Sequence, residues 1–202
     1  LNPASRAALL MVVGAVAFSP TATAHGGADW MHGTLDGAVL FFTSLQSLLP
    51  VLVVALLARR NGSDRVAIRT VVLGIALIIG LLALPVAGDP VTVGLYARSY
   101  LIALALLVLF NLRAHAGLVL VLGLVTGALT GLEFKAVLIG DPATGFSPAV
   151  GFIASAICFH LPVALIASRH PHGWQRIAIR VVAGWIAAIA AMDIAFTIGR
   201  PG

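Results

Sequence analysis

Thr126, Thr130 and Glu133 recur at i, i+4 and i+7 within GLVTGALTGLEFK (residues 123–135). At 100° per residue they share one helical face. Two hydroxyls and a carboxylate on one face can line a polar path or hold a cation through oxygen. An ionisable group inside a membrane span costs a few kcal/mol and usually faces a cavity or a partner, so Glu133 leads the candidates. For the threonines there is a local alternative, because each hydroxyl can bond a carbonyl of its own helix. Gly123, Gly127 and Gly131 form a GxxxGxxxG stripe on the adjoining face. Such a stripe lets helix backbones approach closely and predicts a central place in a bundle. Lys135, at i+2 from Glu133, points elsewhere and is expected to snorkel to the interface.

Other polar residues stand at comparable depth in apolar runs: Gln46, His160 and Asp193. Singly, a Gln or His in a bundle is more often an interhelical hydrogen-bond partner than a ligand. Together, Gln46, Thr126, Thr130, Glu133 and Asp193 would give a polar lining open to the periplasm if their faces converge, with Asp193 or His160 as relay. Nearer the N-terminus, His25, Asp29, His32 and Asp36 crowd twelve positions. They could capture a cation loosely, but their spacing matches no recognised ligand pattern. The metal-ligand candidates are therefore Glu133, His25 and His32. Cys158, the single cysteine, lies in an apolar run and reads as a small buried hydrophobe.

These residues must be positioned by membrane helices. Of 202 residues, 60% are hydrophobic and 9% charged, and no water-soluble domain of this size could hide that much apolar surface. The net charge of +5 comes mainly from arginines at the edges of apolar runs, not from a basic patch, so nucleic acid is not the expected partner and the lipid bilayer is. Residues 1–24 have a signal-peptide layout: Arg6, a short apolar run, Pro20 and Ala22-Thr23-Ala24 before His25. Apolar runs of bilayer-crossing length follow near 36–58, 66–87, 95–112, 116–139, 147–168 and 177–198.

Eight arginines (59, 60, 65, 69, 113, 169, 176 and 180) flank connections on one side, against Arg98, Lys135 and Arg200 on the other. By the positive-inside rule the arginine-rich side is cytoplasmic. The expected fold is thus an all-α integral membrane protein of the bacterial inner membrane, multi-pass, with a cleavable signal peptide, a six-helix transmembrane domain over 25–202 and both mature termini periplasmic. The connections GDP (88–90) and GDPATGFSP (140–148) read as short outer turns.

The glycine frame and Glu133 resemble the HupE/UreJ membrane proteins, accessory to hydrogenase and urease and regarded as nickel permeases. The family's signature F-H-G-x-A-H-G-x-E corresponds to Val125 through Glu133, where both glycines and the glutamate match and both histidines are Thr126 and Thr130. Anchored on Gly33 and Gly37, the family's first-span His and Asp-His positions fall on Leu40, Gln46 and Ser47. The run VGFIASAICFHLPVAL resembles the family's fifth span, its histidine carried by His160. The resemblance implies a permease for a divalent cation of the nickel or cobalt class, or for a small polar solute, with a substrate path through Glu133, Thr126, Thr130, Gln46, Ser47, Asp193 and His160. Hydroxyl and amide oxygens hold nickel less well than imidazole, which implies low affinity.

A rival expectation is a non-transporting scaffold that assists assembly of a metalloenzyme with its maturation proteins. No nucleophile–base pair, phosphate-binding loop or haem motif is present, so no enzyme is expected and no resident cofactor beyond a transported nickel or cobalt ion.

Overall fold

Leu, Ile, Val and Ala dominate the runs between Gly, Pro and Asp punctuation, and in hydrocarbon a helix is the structure that satisfies each backbone group within its own segment. The computed structural model describes residues 29–57, 65–83, 90–112, 114–138, 147–169 and 173–199. Among them are seven helices and no strands. They are α1 (Asp29–Thr43), α2 (Leu45–Leu57), α3 (Val66–Leu82), α4 (Pro90–Leu109), α5 (Ala116–Leu138), α6 (Ser147–Ser168) and α7 (Gly173–Ile198). The expected signal peptide, His25 and most of the two outer turns lie outside the described residues.

Three helices, α5, α6 and α7, are long and apolar enough to cross a membrane. The α1–α2 pair makes a fourth if its two halves form one span, and α3 and most of α4 are shorter apolar helices. The run expected as one span at 36–58 is broken at Ser44, where the chain turns by 71°. Local polar bonding surrounds the break. Thr43 Oγ1 donates to the Val39 carbonyl at 2.8 Å. Ser44 donates its N–H back to Leu40 O at 2.9 Å and accepts from Leu48 N at 3.0 Å. Ser44 therefore closes α1 and caps the start of α2. Six residues into α2, Pro50 has no N–H and leaves the Gln46 carbonyl without its i+4 donor.

Other ends follow ordinary terminal chemistry. Pro90 is the first residue of α4, where a missing N–H costs nothing. At the far end Asn111 takes a left-handed backbone (φ 55°). Its N–H bonds Val108 O at 3.1 Å, and Leu112 N bonds Leu107 O at 3.0 Å, the paired closure of a Schellman motif.

Three helix pairs carry most of the packing: α3 on α5, α1 on α6 and α4 on α7, with α2 running between them. In the first, a Cβ on Gly127 would lie 2.6 Å from Ala76 Cβ and 2.7 Å from Leu73 O, and one on Gly131 would strike the Leu77 carbonyl. Gly80 approaches the Ala128 carbonyl as closely from the other side. The α1–α6 pair uses the same device, with Gly37 against Pro148 O and Gly151 against Thr34 O. Only glycine fits such contacts. Gly123, the first member of the expected stripe, is not at one, since its Cβ would meet Val54 at an ordinary 3.7 Å. Phe41 contacts Phe42, Phe152 and Phe159 edge-on, and Phe134 stacks on Phe152 at 3.9 Å between centroids, tying α1, α5 and α6 together.

Contact order along each pair fixes its direction. Leu73 meets Gly127, Leu77 meets Gly131 and Ala83 meets Lys135, so α3 and α5 run parallel. Gly37 meets Pro148 and Phe41 meets Phe159, so α1 and α6 are parallel too. Arg98 meets Asp193 while Leu109 meets Gly184, so α4 and α7 are antiparallel. Cys158 is exposed on α6, against the expectation that it is buried. A thiol tolerates contact with hydrocarbon, so its apolar neighbours do not force it inward.

Candidate functional site

The helical face that carries Thr126, Thr130 and Glu133 is turned into a cavity of about 310 Å³ between α2, α4, α5 and α7. Gln46 reaches it from the first turn of α2, Arg98 and Tyr100 from α4, and Asp193 from α7. Most of the remaining wall is aliphatic, including Leu49, Leu101, Leu129 and Ile189. Five of the residues read from sequence as a path thus converge: Gln46, Thr126, Thr130, Glu133 and Asp193.

Within the cavity, Arg98 Nε donates to Asp193 Oδ2 at 2.5 Å, an ion pair whose side chains are 18% and 43% exposed. Tyr100 Oη donates to the Leu122 carbonyl at 2.7 Å and lies 3.2 Å from Thr126 Oγ1, which itself bonds Leu122 O at 2.8 Å. Thr126 therefore combines both expected roles, bonding its own helix while facing the cavity. Glu133 differs. Among the described residues it makes no hydrogen bond or ion pair, although Arg98 and Asp193 are within electrostatic reach. Gln46 and Thr130 likewise make no hydrogen bond among the described residues, so Glu133 is the charged member of a set of cavity groups that a solute can engage without displacing a protein partner. Five residues before Leu138, the end of α5, it lies about 7–8 Å below that end.

Two expected path residues sit elsewhere. Ser47 is 5% exposed and bonds Ser44 Oγ at 3.3 Å, so it serves the break between α1 and α2. His160 is fully buried with Thr70 on α3, its Nδ1 3.0 Å from Thr70 Oγ1. The Thr70 hydroxyl proton goes to Val66 O at 3.0 Å, so the hydroxyl offers His160 a lone pair. That places the imidazole proton on Nδ1 and leaves Nε2 without a hydrogen-bond partner among the described residues. Arg69, also buried, is within electrostatic reach of the ring. Neither Ser47 nor His160 lines the cavity.

His32 is exposed on α1, away from Glu133, and His25 lies outside the described residues. Among the described residues no three His, Cys, Asp or Glu side chains come together as a metal-binding group. Lys135 does not hang free, since its Nζ donates to the Ala83 carbonyl at the end of α3. From the sequence alone Arg98 reads as an orientation signal, and Tyr100 has no spacing that marks it. The available signal was Arg98 lying nine residues into α4, matched by an equally isolated Asp193 in another apolar run.

Fold and site together define a helical protein with several helices fit to cross a bilayer and, among them, a largely apolar cavity holding an ion pair and a carboxyl group that is unpaired among the described residues. No family model matches the chain, nor does any curated protein or solved structure.

Proposed function

We propose that the chain is a six-pass membrane permease of HupE/UreJ-like architecture that admits a small cationic solute to this cavity from the periplasmic side. The observation that carries the reading is Glu133, a carboxyl group set in a largely apolar cavity with no hydrogen-bond or ion-pair partner among the described residues. Keeping such a group at membrane depth is costly, and a cation that binds there repays the cost. Two further features support it. The α1–α2 break borders the cavity through Leu45 and Gln46, and non-helical backbone at membrane depth is tolerated where it is buried or lines a cavity. The helix directions also support six passes: parallel α3–α5, parallel α1–α6 and antiparallel α4–α7 are the relations that strict alternation requires.

The donor set favours a singly charged organic cation over nickel or cobalt. One free carboxylate beside hydroxyls and a tyrosine suits an ammonium group, whereas the late divalent metals prefer imidazole nitrogen. Uptake of labelled methylammonium, nickel and cobalt into proteoliposomes tests the assignment. Wild type should accumulate methylammonium, and Glu133→Gln should reduce this at least tenfold. Nickel accumulation that appears only when histidine replaces Thr126 and Thr130 would mean that the path persists without its metal. No transport of any probe by any variant would sink the permease reading and favour the scaffold.

A further inference from the structure

The cavity is not sealed toward the bilayer. Leu45, Met192 and Phe196 belong to its wall and are 53%, 60% and 66% exposed. Met192 stands well inside α7, six residues, about 9 Å, short of Ile198; Phe196 lies nearer that end, two residues short of it, and Leu45 opens α2 beside the break at Ser44. The opening has a cause in the fold. The 71° turn at Ser44 carries α1 away to pack on α6, and α2 and α7 touch only lightly. A gap is left between the first turn of α2 and the outer half of α7, rimmed by apolar side chains with Gln46 as the polar exception.

We infer that this gap is a side portal from the outer leaflet, and that the cavity's ligand is a small amphiphile with an ammonium head and a short apolar tail. The inference rests on the proposed cation-binding role of Glu133 and names the substrate class. Charge sets the head group. Arg98 is committed to Asp193 at 2.5 Å, so the net charge left for a ligand is that of Glu133. Tyr100 and Phe196 add aromatic rings to the wall, and ring faces attract ammonium groups. Shape and lining set the tail. About 310 Å³ is the lower end of the range for small-molecule sites, and the wall beyond the charged residues is aliphatic. A hydrated inorganic cation would leave that wall unused, and a carboxylate head would meet Glu133 as a like charge.

The test is direct binding to the full chain in lipid nanodiscs, with methylammonium, octylammonium and octanoate as probes. Octylammonium should bind saturably and at least tenfold more tightly, by aqueous concentration, than methylammonium, and octanoate should not bind. Glu133→Gln should weaken octylammonium at least tenfold. Met192→Trp, a change at an exposed position that narrows the portal, should slow octylammonium association severalfold, and by more than it slows methylammonium. Methylammonium bound as tightly as octylammonium, or octylammonium association unchanged in Met192→Trp, would overturn the side portal while leaving Glu133 as a cation site. Glu133-independent binding of every probe would instead overturn the cation site itself.

Discussion

At the scale of single residues, the Arg98–Asp193 pair makes a testable contribution to stability. Arg98 is largely buried and Asp193 partly so, so removing one partner strands the other charge in a mostly apolar setting. Arg98→Gln and Asp193→Asn should each lower stability by about 1–3 kcal/mol. The double variant should recover part of the loss, because neither charge is then left alone. Thermal denaturation of all four proteins in one detergent checks this as a double-mutant cycle. Strict additivity would mean that the 2.5 Å contact contributes nothing. Glu133, Thr126 and Thr130 were legible in the sequence because they repeat at helical period on a single element. Arg98 and Tyr100 were not, because their meaning lies in partners on other helices: Asp193 is 95 positions away and Leu122 is 22.

At the scale of elements, glycines of the same helix have unequal roles. Gly127→Ala would push a methyl against Ala76 and the Leu73 carbonyl at 2.6 and 2.7 Å. Backbone atoms cannot yield as side chains do, so α3 and α5 must separate, at a cost of about 1–3 kcal/mol. Gly123→Ala meets only Val54 at 3.7 Å and gains up to about 1 kcal/mol of helix propensity. The two variants should therefore shift the melting temperature in opposite directions. Equal losses would show that α5 does not pack on α3 through this stripe. A one-dimensional pattern announces that small residues share a face, but which of them touches a backbone depends on where the neighbouring helix crosses. The break at Ser44 was hidden for a related reason: Thr43, Ser44 and Pro50 are individually tolerable in a span, and none of them alone announces a turn of the chain.

At the scale of the whole molecule, the helix directions and the arginine distribution are independent arguments for one topology. The arginines say which side each connection faces, and the contacts say which helix ends lie together. Lys135 beside Ala83 and Arg98 beside Asp193 gather at one end, while Arg65, His115 and Arg169 belong to helix ends of the opposite kind. Six alternating passes satisfy both arguments only if His32 and Thr197 are periplasmic while His115 and Arg169 are cytoplasmic. In a Cys158→Ser background, needed because that thiol is exposed, His32→Cys and Thr197→Cys should react with a membrane-impermeant maleimide added to intact cells. His115→Cys and Arg169→Cys should react only after the membrane is opened. If α1 and α2 formed a re-entrant loop instead of one bent span, His32 would share a side with α3's Arg65, and His32→Cys would label with the His115→Cys group. That outcome would reduce the passes to five and turn the cavity's break into a loop that dips in from the cytoplasm. Labelling of His32→Cys with Thr197→Cys would keep six passes and leave the Glu133 end of the cavity on the periplasmic side.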